Sequence, residues 1–347
     1  MSKAAELAAL IGSQSALSNR NLIINGAMQV WQRGTTIDSI SGGGYLCDRW
    51  RNNFSGLDGN VDIDRSTDVP SGQGFFYSNK ISMDASESSL DSGDYFQLQH
   101  RIEDQNLTHL VKGTSAAKAV TLSFWVKSSV ASTYTCSLRD PGNSRQINKS
   151  YVISSANTWQ QVELTFEGDT TGTLDNDNEI GLIVGFDLDA GSDRTSGTFS
   201  TVWSDSVLNT RVYDTTGWLE STSPEFYITG VQLEVGEQAT PFEHRSFGNE
   251  LARCQRYYQA SSETTGNLLF FSGHVDSGAT YFAKEKLTVP MRAAPTVTIG
   301  SELGKDGFAG APSISWQTTQ SIRSSNTANA NSNQGYYFFQ YTASAEL

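Results

Sequence analysis

Apolar and polar residues alternate along most of this chain, the pattern of half-buried β-strands. In TLSFWVK, for example, Leu122, Phe124 and Val126 share one side. Clusters of Gly, Ser, Asp and Asn separate such runs about every ten residues, which favours an antiparallel sandwich or barrel over alternating strands and helices. Strands are predicted over 22–30, 74–83, 95–101, 120–127, 160–166, 180–188, 225–234, 267–275, 281–289, 295–299, 314–317 and 336–341.

The run FYITGVQLEVG is the longest alternating segment, and we expect it to close the first sheet region. Strict alternation predicts that Val231 and Leu233 face away from Phe226 and Ile228. Its expected partner is the early segment NLIINGAMQVWQ, which would join both ends of the domain.

Helical spacing is confined to a few places. Residues 3–11 carry Leu7 and Ile11 on one apolar face, and Gly12 ends the pattern. A helix this short does not persist alone in water, so it is expected to dock, with Leu7 and Ile11 as candidate docking residues. A helical turn is predicted over 104–112 and an amphipathic helix over 249–258.

These elements predict three regions. Residues 1–20 form an N-terminal helix and linker for attachment, residues 21–247 a β-sandwich, and residues 248–347 a linking helix with a smaller β domain. The polar run 324–335 is predicted to be a long exposed loop of that domain. No repeat of fixed period is visible, which disfavours solenoids and propellers.

Charge and composition narrow the function classes. The net charge of −13 argues against nucleic-acid binding. The mean hydropathy of −0.38, without a long apolar run, argues against membrane insertion. The first residues lack the basic and apolar regions of a secretory signal, so we expect a protein made in a cytosol. Cys47, Cys136 and Cys254 are too far apart for a zinc spacing and are expected to be buried thiols.

Catalytic motifs are absent from the sequence. It contains no GxGxxG after a strand, no P-loop, no GxSxG and no HExxH. The four histidines are isolated, and no acid–base pair stands out among 37 acidic residues, so no enzyme is predicted. The alternating oxygens of 58–64 and 175–179 leave a structural calcium site open, but both lack the EF-hand glycine, and a solvated acidic turn is favoured.

Aromatic residues in loop-like segments are candidates for stacking on sugar rings. The glycan-binding candidates are Trp203, Tyr213, Trp218, Tyr336 and Tyr337. The alternative is that they anchor loops to the core. Three tryptophans in strand patterns are expected in the core: Trp50, Trp125 and Trp159.

Several blocks, in order, resemble a family of phage tail-fibre and virion proteins, especially of marine and cyanobacterial hosts. The blocks are NLIINGAMQVWQRGTT, YLCDRW, TLSFWVKSS, NTWQQVELTFEGD, GLIVGFDLDAG and FYITGVQLEVGEQATPFEHRSFGNELARCQRYYQ. The resemblance covers residues 20–258 and implies a jelly roll like that of carbohydrate-binding modules. VPMRAAPTVTI resembles the variable distal domains of such fibres.

That resemblance implies a non-enzymatic virion protein, a homotrimeric tail-fibre or appendage subunit. It would attach to a tail or head protein through its N-terminus and bind a glycan of the host surface. The alternatives are a capsid decoration protein with the same jelly roll and a host-polysaccharide depolymerase. Because the chain is acidic, binding of an anionic polysaccharide by charge is not expected.

Overall fold

The computed structural model describes residues 19–40, 42–261 and 268–347. It consists mainly of antiparallel strands, so the predicted antiparallel β-sandwich is confirmed. The chain divides into two compact units, the first ending at Ser246 and the second beginning at Phe247. The predicted N-terminal helix, with Leu7 and Ile11, lies outside the described residues.

The first unit holds the larger set of strands, and its described residues also form a short α-helix and three short 3-10 helices between them. The 3-10 helices are Asp104–Asn106, Thr108–Leu110 and Leu208–Thr210, and the α-helix is α1 Ser192–Thr195. The strands are β1 Thr36–Ile40, β2 Gly44–Tyr45, β3 Trp50–Ser55, β4 Val61–Ser66, β5 Ser78–Met83, β6 Tyr95–Glu103, β7 Val120–Ser128, β8 Thr133–Asp140, β9 Arg145–Val152, β10 Gln160–Phe166, β11 Ile180–Ala190, β12 Ser204–Asp205 and β13 Glu225–Val235.

Two sheets of this unit pack face to face. The six-stranded sheet has the order β1-β4-β5-β13-β7-β10, and the seven-stranded sheet has the order β12-β9-β8-β11-β6-β3-β2. The apolar positions of each strand meet between the sheets. The rings of Phe124 on β7 and Phe186 on β11 lie 5.0 Å apart, edge to face, and both are fully buried. Burial of this shared apolar face stabilises the sandwich.

A bulge in β13 overturns the predicted alternation. Thr229 pairs with Trp125 and Gln232 with Ser123, so β13 holds one more residue than β7 over this stretch. Gly230, at φ +63°, takes up the extra residue. The side-chain pattern changes phase there, and the apolar residues before and after the bulge all point into the same core, against the prediction.

The segment over 22–30 is not a strand, which corrects a second prediction. The Asn25 side chain accepts hydrogen bonds from the backbone N–H groups of Gln29 and Val30 and folds the segment into a turn. The expected contact with β13 is still made at two points: Leu22 N–H donates to Leu233 O at 2.8 Å, and Val231 N–H donates to Gly26 O at 2.9 Å.

Both ends of the sandwich are joined by hydrogen bonds. The Glu243 carboxylate accepts the backbone N–H groups of Asn19 at 2.7 Å and Asn21 at 2.9 Å. The Arg245 guanidinium donates to Ile23 O at 3.0 Å and forms an ion pair with Glu243. The segment that leaves β13 therefore returns to the segment that enters the sandwich.

The second unit begins with helix α2 Phe247–Gln255, two residues earlier than predicted. Its sheets have the orders β14-β20-β15, with β17 also on β20, and β16-β19-β18. The strands are β14 Tyr258–Ala260, β15 Leu269–Val275, β16 Thr280–Lys286, β17 Thr296–Asp306, β18 Ser313–Gln317, β19 Ser321–Thr327 and β20 Ser332–Ser344.

The long exposed loop predicted over 324–335 is wrong. Strand β19 extends to Thr327 and β20 begins at Ser332, so only a short turn separates them. Small polar side chains are compatible with these strands because Ser324 is buried and its hydroxyl lies 3.2 Å from the Tyr337 hydroxyl. The polar residues of this segment led to the prediction of a loop where two strands are formed.

Candidate functional site

The outer face of the seven-stranded sheet carries an unusual floor of polar side chains. On β6, Gln97 lies opposite Asp187 of β11 and Gln99 lies opposite Gly185 of β11. On its other side, Gly185 lies opposite Ser137 of β8. These residues alternate with residues that face the core, so they lie on the side of the sheet away from it. Gln97 and Gln99 are nonetheless only 2% exposed. Other parts of the protein must therefore cover these two side chains.

Gly185 makes room in the middle of this floor. A Cβ at this position would lie 2.6 Å from Gln97 Nε2 and 2.7 Å from Ser137 Oγ, closer than side chains approach. Because residue 185 is glycine, the Gln97 side chain on β6 has room to extend over the neighbouring strand β11, where its Nε2 donates to Asp187 Oδ1 at 2.8 Å. A hydrogen-bonded polar layer thus takes the place of a row of packed side chains.

Arginine side chains form a second layer over the glutamines. Arg139 Nη2 donates to Gln97 Oε1 at 3.0 Å. Arg101 donates to Gln99 Oε1 through Nε at 3.3 Å and through Nη2 at 3.1 Å. The amide oxygens hold the guanidinium groups in place, and the arginines exclude water from the glutamines.

The chain between β11 and β13 builds a wall beside this floor. Asn148 Nδ2 on β9 donates to Ser200 O at 3.0 Å, and Tyr213 N–H donates to the Thr135 hydroxyl on β8 at 3.0 Å. The wall contributes Arg194 from α1, above the Tyr95 ring, and Arg211, which donates to Ser206 Oγ at 3.2 Å. We call the floor and wall together the arginine cleft, and its four arginines the arginine cluster: Arg101, Arg139, Arg194 and Arg211.

The charges of the cluster affect one another. Burial, followed by repulsion from Arg211, lowers the pKa of Arg139 to about 10. Burial and then the charge of Arg194 lower the pKa of Arg211 as well. Burial raises the pKa of Asp187 despite the hydrogen bond from Gln97 and the attraction of nearby arginines. The cleft thus concentrates positive charge around one partly compensating carboxylate.

Two atoms of the cleft have hydrogen-bonding capacity that the protein leaves unused. Asp187 Oδ2 and Arg139 Nε are buried, and neither has a hydrogen-bond partner among the residues that the structure describes. An unmet buried polar atom costs about 1–3 kcal/mol, more when it is charged. Because both atoms are closed off from solvent, this cost falls on the stability of the folded protein.

Two of the predicted glycan-binding residues are buried, so these assignments are wrong. Trp218 is 0% exposed, and its ring packs 6.1 Å from that of Phe96 in the sandwich core. Tyr337 is also fully buried, because the phase of β20 turns it into the core of the second unit. Neither ring offers a face for a sugar to stack on.

The other three aromatic candidates lie in different places. Tyr213 is 51% exposed on the wall of the arginine cleft, with the Phe199 ring 5.5 Å away. Trp203 is half-buried, and its Nε1 donates to Glu167 O at 2.7 Å. Tyr336 is half-buried on the second unit, 5.3 Å from Phe338. Of the predicted residues, Tyr213 is the one placed at the cleft.

A second, more aromatic cleft of about 450 Å³ lies on the outer face of the six-stranded sheet. Trp125 lines it together with Phe75, Phe242 and His244. The core position expected for Trp125 is wrong, because its neighbours Phe124 and Val126 are the residues that point inward. The same holds for Trp159, which is half-buried and donates from Nε1 to Asp68 at 2.8 Å, whereas Trp50 is in the core.

The acidic segments considered for calcium are used in local hydrogen bonds. Asp62 Oδ1 accepts the Ser39 N–H at 2.9 Å, and Asp177 Oδ1 accepts the Glu179 N–H at 2.9 Å. Within residues 19–40, 42–261 and 268–347, no three His, Cys, Asp or Glu side chains converge to hold a metal ion. No helix in those ranges is long and apolar enough to cross a membrane.

Comparisons with known proteins give matches among solved structures alone. No family model and no curated protein matches the chain. The enzymatically active domain of tailspike protein 4 of bacteriophage CBA120 aligns at 14% identity and a TM-score of 0.32, over 62% of this chain and 22% of that one. The chain therefore spans about a fifth of that tailspike domain.

Two carbohydrate-binding modules also align. TmCBM61, solved with β-1,4-galactotriose, matches at 12% identity and a TM-score of 0.31, over 63% of this chain and 100% of the module. The CBM22-1 xylan-binding domain of Paenibacillus barcinonensis Xyn10C matches at 11% identity and a TM-score of 0.28, over 59% of this chain and 98% of the domain.

Proposed function

We propose that this chain is a non-enzymatic structural protein of a phage virion, a trimeric tail-fibre or appendage subunit that binds a glycan of the host surface in the arginine cleft. The observation that carries the binding role is the partly exposed arginine cluster, which is held over neutral glutamine amides. Sugar hydroxyls accept hydrogen bonds, so a saccharide can be bound by these guanidinium groups.

The composition of the cleft supports a binding role over a catalytic one. A glycoside hydrolase usually needs two carboxyl groups, one as acid and one as base or nucleophile. The carboxylate in the floor of the cleft, that of Asp187, is 1% exposed and therefore closed off from a substrate. The resemblance of several sequence blocks to phage tail-fibre proteins supports the virion role.

Glycan-array binding by the purified chain tests this proposal. We expect binding by the wild type and a loss of at least tenfold in Gly185→Ala, because the added methyl group displaces the side chains of Gln97 and Ser137. Gly248→Ala is the matched control, since a Cβ there meets no atom within 4 Å. Absence of binding to any glycan, or equal binding by Gly185→Ala, would refute the assignment of the cleft.

A further inference from the structure

We propose that the arginine cleft selects an acidic saccharide, one that carries a carboxylate or a sulfate ester, and that this anionic group lies against the arginine cluster. The inference rests on the proposed function and specifies its ligand class. It also replaces the expectation from net charge that an anionic polysaccharide is not bound.

The first step in the argument is the local charge balance. The chain has 24 basic and 37 acidic residues, yet Arg139 lies within the fields of three further arginines, Arg101, Arg194 and Arg211, and of the Asp187 carboxylate. A ligand group responds to charges within roughly 8–10 Å, the screening length at physiological salt, and not to the charge of the whole chain. At the cleft the local excess is positive although the chain is acidic.

The second step is that neutral groups hold two arginines of the cluster in place. The amide oxygens of Gln97 and Gln99, which are neutral, accept hydrogen bonds from Arg139 and Arg101. Asp187 Oδ1 is occupied by Gln97 and not by an arginine. Like charges brought together in this way repel one another, and an anionic ligand would relieve that repulsion.

The third step is chemical fit. A guanidinium group presents paired N–H donors that match the two oxygens of a carboxylate or sulfate. Arg139 is held on the floor through Nη2, and Arg194 and Arg211 are partly exposed. Arg194 and Arg211 approach from the wall, so charged donors come from two sides of the cleft. A neutral sugar would need the hydroxyl-binding atoms but not this concentration of cations.

The cleft on the six-stranded sheet offers an internal contrast. Its lining rings, Phe75, Phe242 and His244, lie 4.9 to 5.5 Å from one another, beside Trp125. Ring faces suit the C–H surface of a neutral sugar. The two faces of the sandwich therefore differ in chemistry, and the acidic ligand belongs to the arginine cleft.

The test uses pairs of polysaccharides that differ in charge alone. Polygalacturonate is compared with its methyl ester, and a sulfated galactan with its desulfated form, by titration calorimetry on the full chain. We expect one anionic polymer to bind at least tenfold more tightly than its neutral counterpart, and its affinity to fall as NaCl rises from about 0.05 to about 0.5 M. The pair that responds identifies carboxylate or sulfate as the group bound.

Variants then assign the effect to the cluster. The double variant Arg194→Gln/Arg211→Gln, at two half-exposed wall positions, should lose at least tenfold in affinity for the anionic polymer. Lys80→Gln is the control, because it removes a positive charge from the outer face of the other sheet, where Lys80 pairs with Glu225. It should bind as the wild type does.

The outcomes separate the two proposals. Equal or tighter binding of the neutral polymers would refute the acidic ligand while glycan binding stands. An unchanged affinity in the double arginine variant would refute the role of the cluster. Failure of both anionic polymers, with a neutral hit on the glycan array, would also refute the acidic ligand. Failure on the whole array would refute the proposed function itself.

Discussion

The guanidinium carbon of Arg194 lies 3.6 Å from the centre of the Tyr95 ring. Arg194 belongs to the short helix α1 in the wall of the arginine cleft, and Tyr95 is the first residue of β6 in its floor. The Tyr95 hydroxyl accepts a hydrogen bond from Asn53 Nδ2 at 3.3 Å on β3. One aromatic ring therefore links the wall to two strands of the floor.

We predict that loss of this ring weakens glycan binding more than stability. A cation–π contact at a partly exposed site contributes about 0.5–1 kcal/mol, so Tyr95→Ala should lower the free energy of unfolding by about 1 kcal/mol. Binding should fall at least tenfold, because Arg194 loses the surface that positions it. Urea unfolding and glycan titration measure the two effects.

Tyr95→Phe provides the matched control for that prediction. It keeps the ring face under Arg194 and removes only the hydroxyl that accepts from Asn53. Its binding should stay within a few-fold of the wild type. A loss in Tyr95→Phe equal to that in Tyr95→Ala would show that the hydroxyl, and not the ring, is what matters.

A second prediction contrasts a buried ring with an exposed one. Trp218→Ala should lower the free energy of unfolding by about 3–5 kcal/mol, since it leaves a cavity beside Phe96. Tyr213→Ala, at a position 51% exposed, should change it by less than about 1 kcal/mol and weaken glycan binding. Chemical denaturation of both variants checks the pair. A mild effect of Trp218→Ala would contradict the core position of its ring.

A third prediction concerns the pH dependence of stability through Asp187. Burial raises the pKa of this carboxyl in the folded state, so the folded protein binds its proton more tightly than the unfolded chain does. Stability is therefore lost as pH rises through the folded-state pKa. Asp187→Asn cannot ionise and escapes that loss.

The difference in unfolding free energy between Asp187→Asn and the wild type should thus shift in favour of the variant from pH 3 to pH 7. Urea unfolding at both pH values measures it, and the titration of the other carboxyl groups cancels in the comparison. A shift in the opposite direction would mean that attraction by Arg139 and its neighbours outweighs the burial of Asp187.

A fourth prediction concerns the proposed homotrimer. Phe270 on β15 is 48% exposed and stacks on Phe338 of β20 with ring centres 4.5 Å apart. We expect this pair to contact other copies of the chain, and native mass spectrometry to give three subunits. Phe270→Ser/Phe338→Ser should give monomers with an unchanged far-UV spectrum.

The control for the trimer is an exposed phenylalanine on the other sheet of the second unit. Phe282 is 54% exposed, and the Arg323 guanidinium lies 5.0 Å from its ring centre. Phe282→Ser should leave the trimer intact. A wild-type monomer at micromolar concentration would contradict the trimer, and dissociation by Phe282→Ser alone would move the contact to that sheet.

The alternating pattern of the sequence predicted the sandwich and the centres of most strands, because burial of one face imposes a period of two residues. It failed where a local bond overrides that period. The one-residue bulge at Gly230 reverses the phase of β13, and the Asn25 side chain replaces strand pairing over 22–30. Neither the bulge nor the Asn25 turn changes the pattern of apolar and polar residues along the sequence.

The cleft was not predictable from the sequence for a different reason. Gln97, Gln99 and Arg101 sit at the polar positions of β6, where any solvent-facing strand has polar residues. Their significance comes from burial, and burial comes from the wall, which follows them by about 100 residues in the chain. A signal was present in β11, where Gly185 and Asp187 interrupt an apolar run, although Gly181 and Asp189 occur in the same strand. A glycine and an acidic residue on the outer face of a central strand are unexpected unless other side chains pack over that face.

The hydrogen bonds of Glu243 and Arg245 to residues 19–23 also set the path of mechanical load. A force that separates the segment at Asn19 from the segment at Arg245 acts directly on these contacts. It is resisted by the Glu243–Asn21 and Arg245–Ile23 hydrogen bonds and by the backbone hydrogen bonds that join Leu22 and Gly26 to β13. A pull on the two ends of the sandwich therefore meets its resistance at one place, where residues 19–26 lie against residues 231–245.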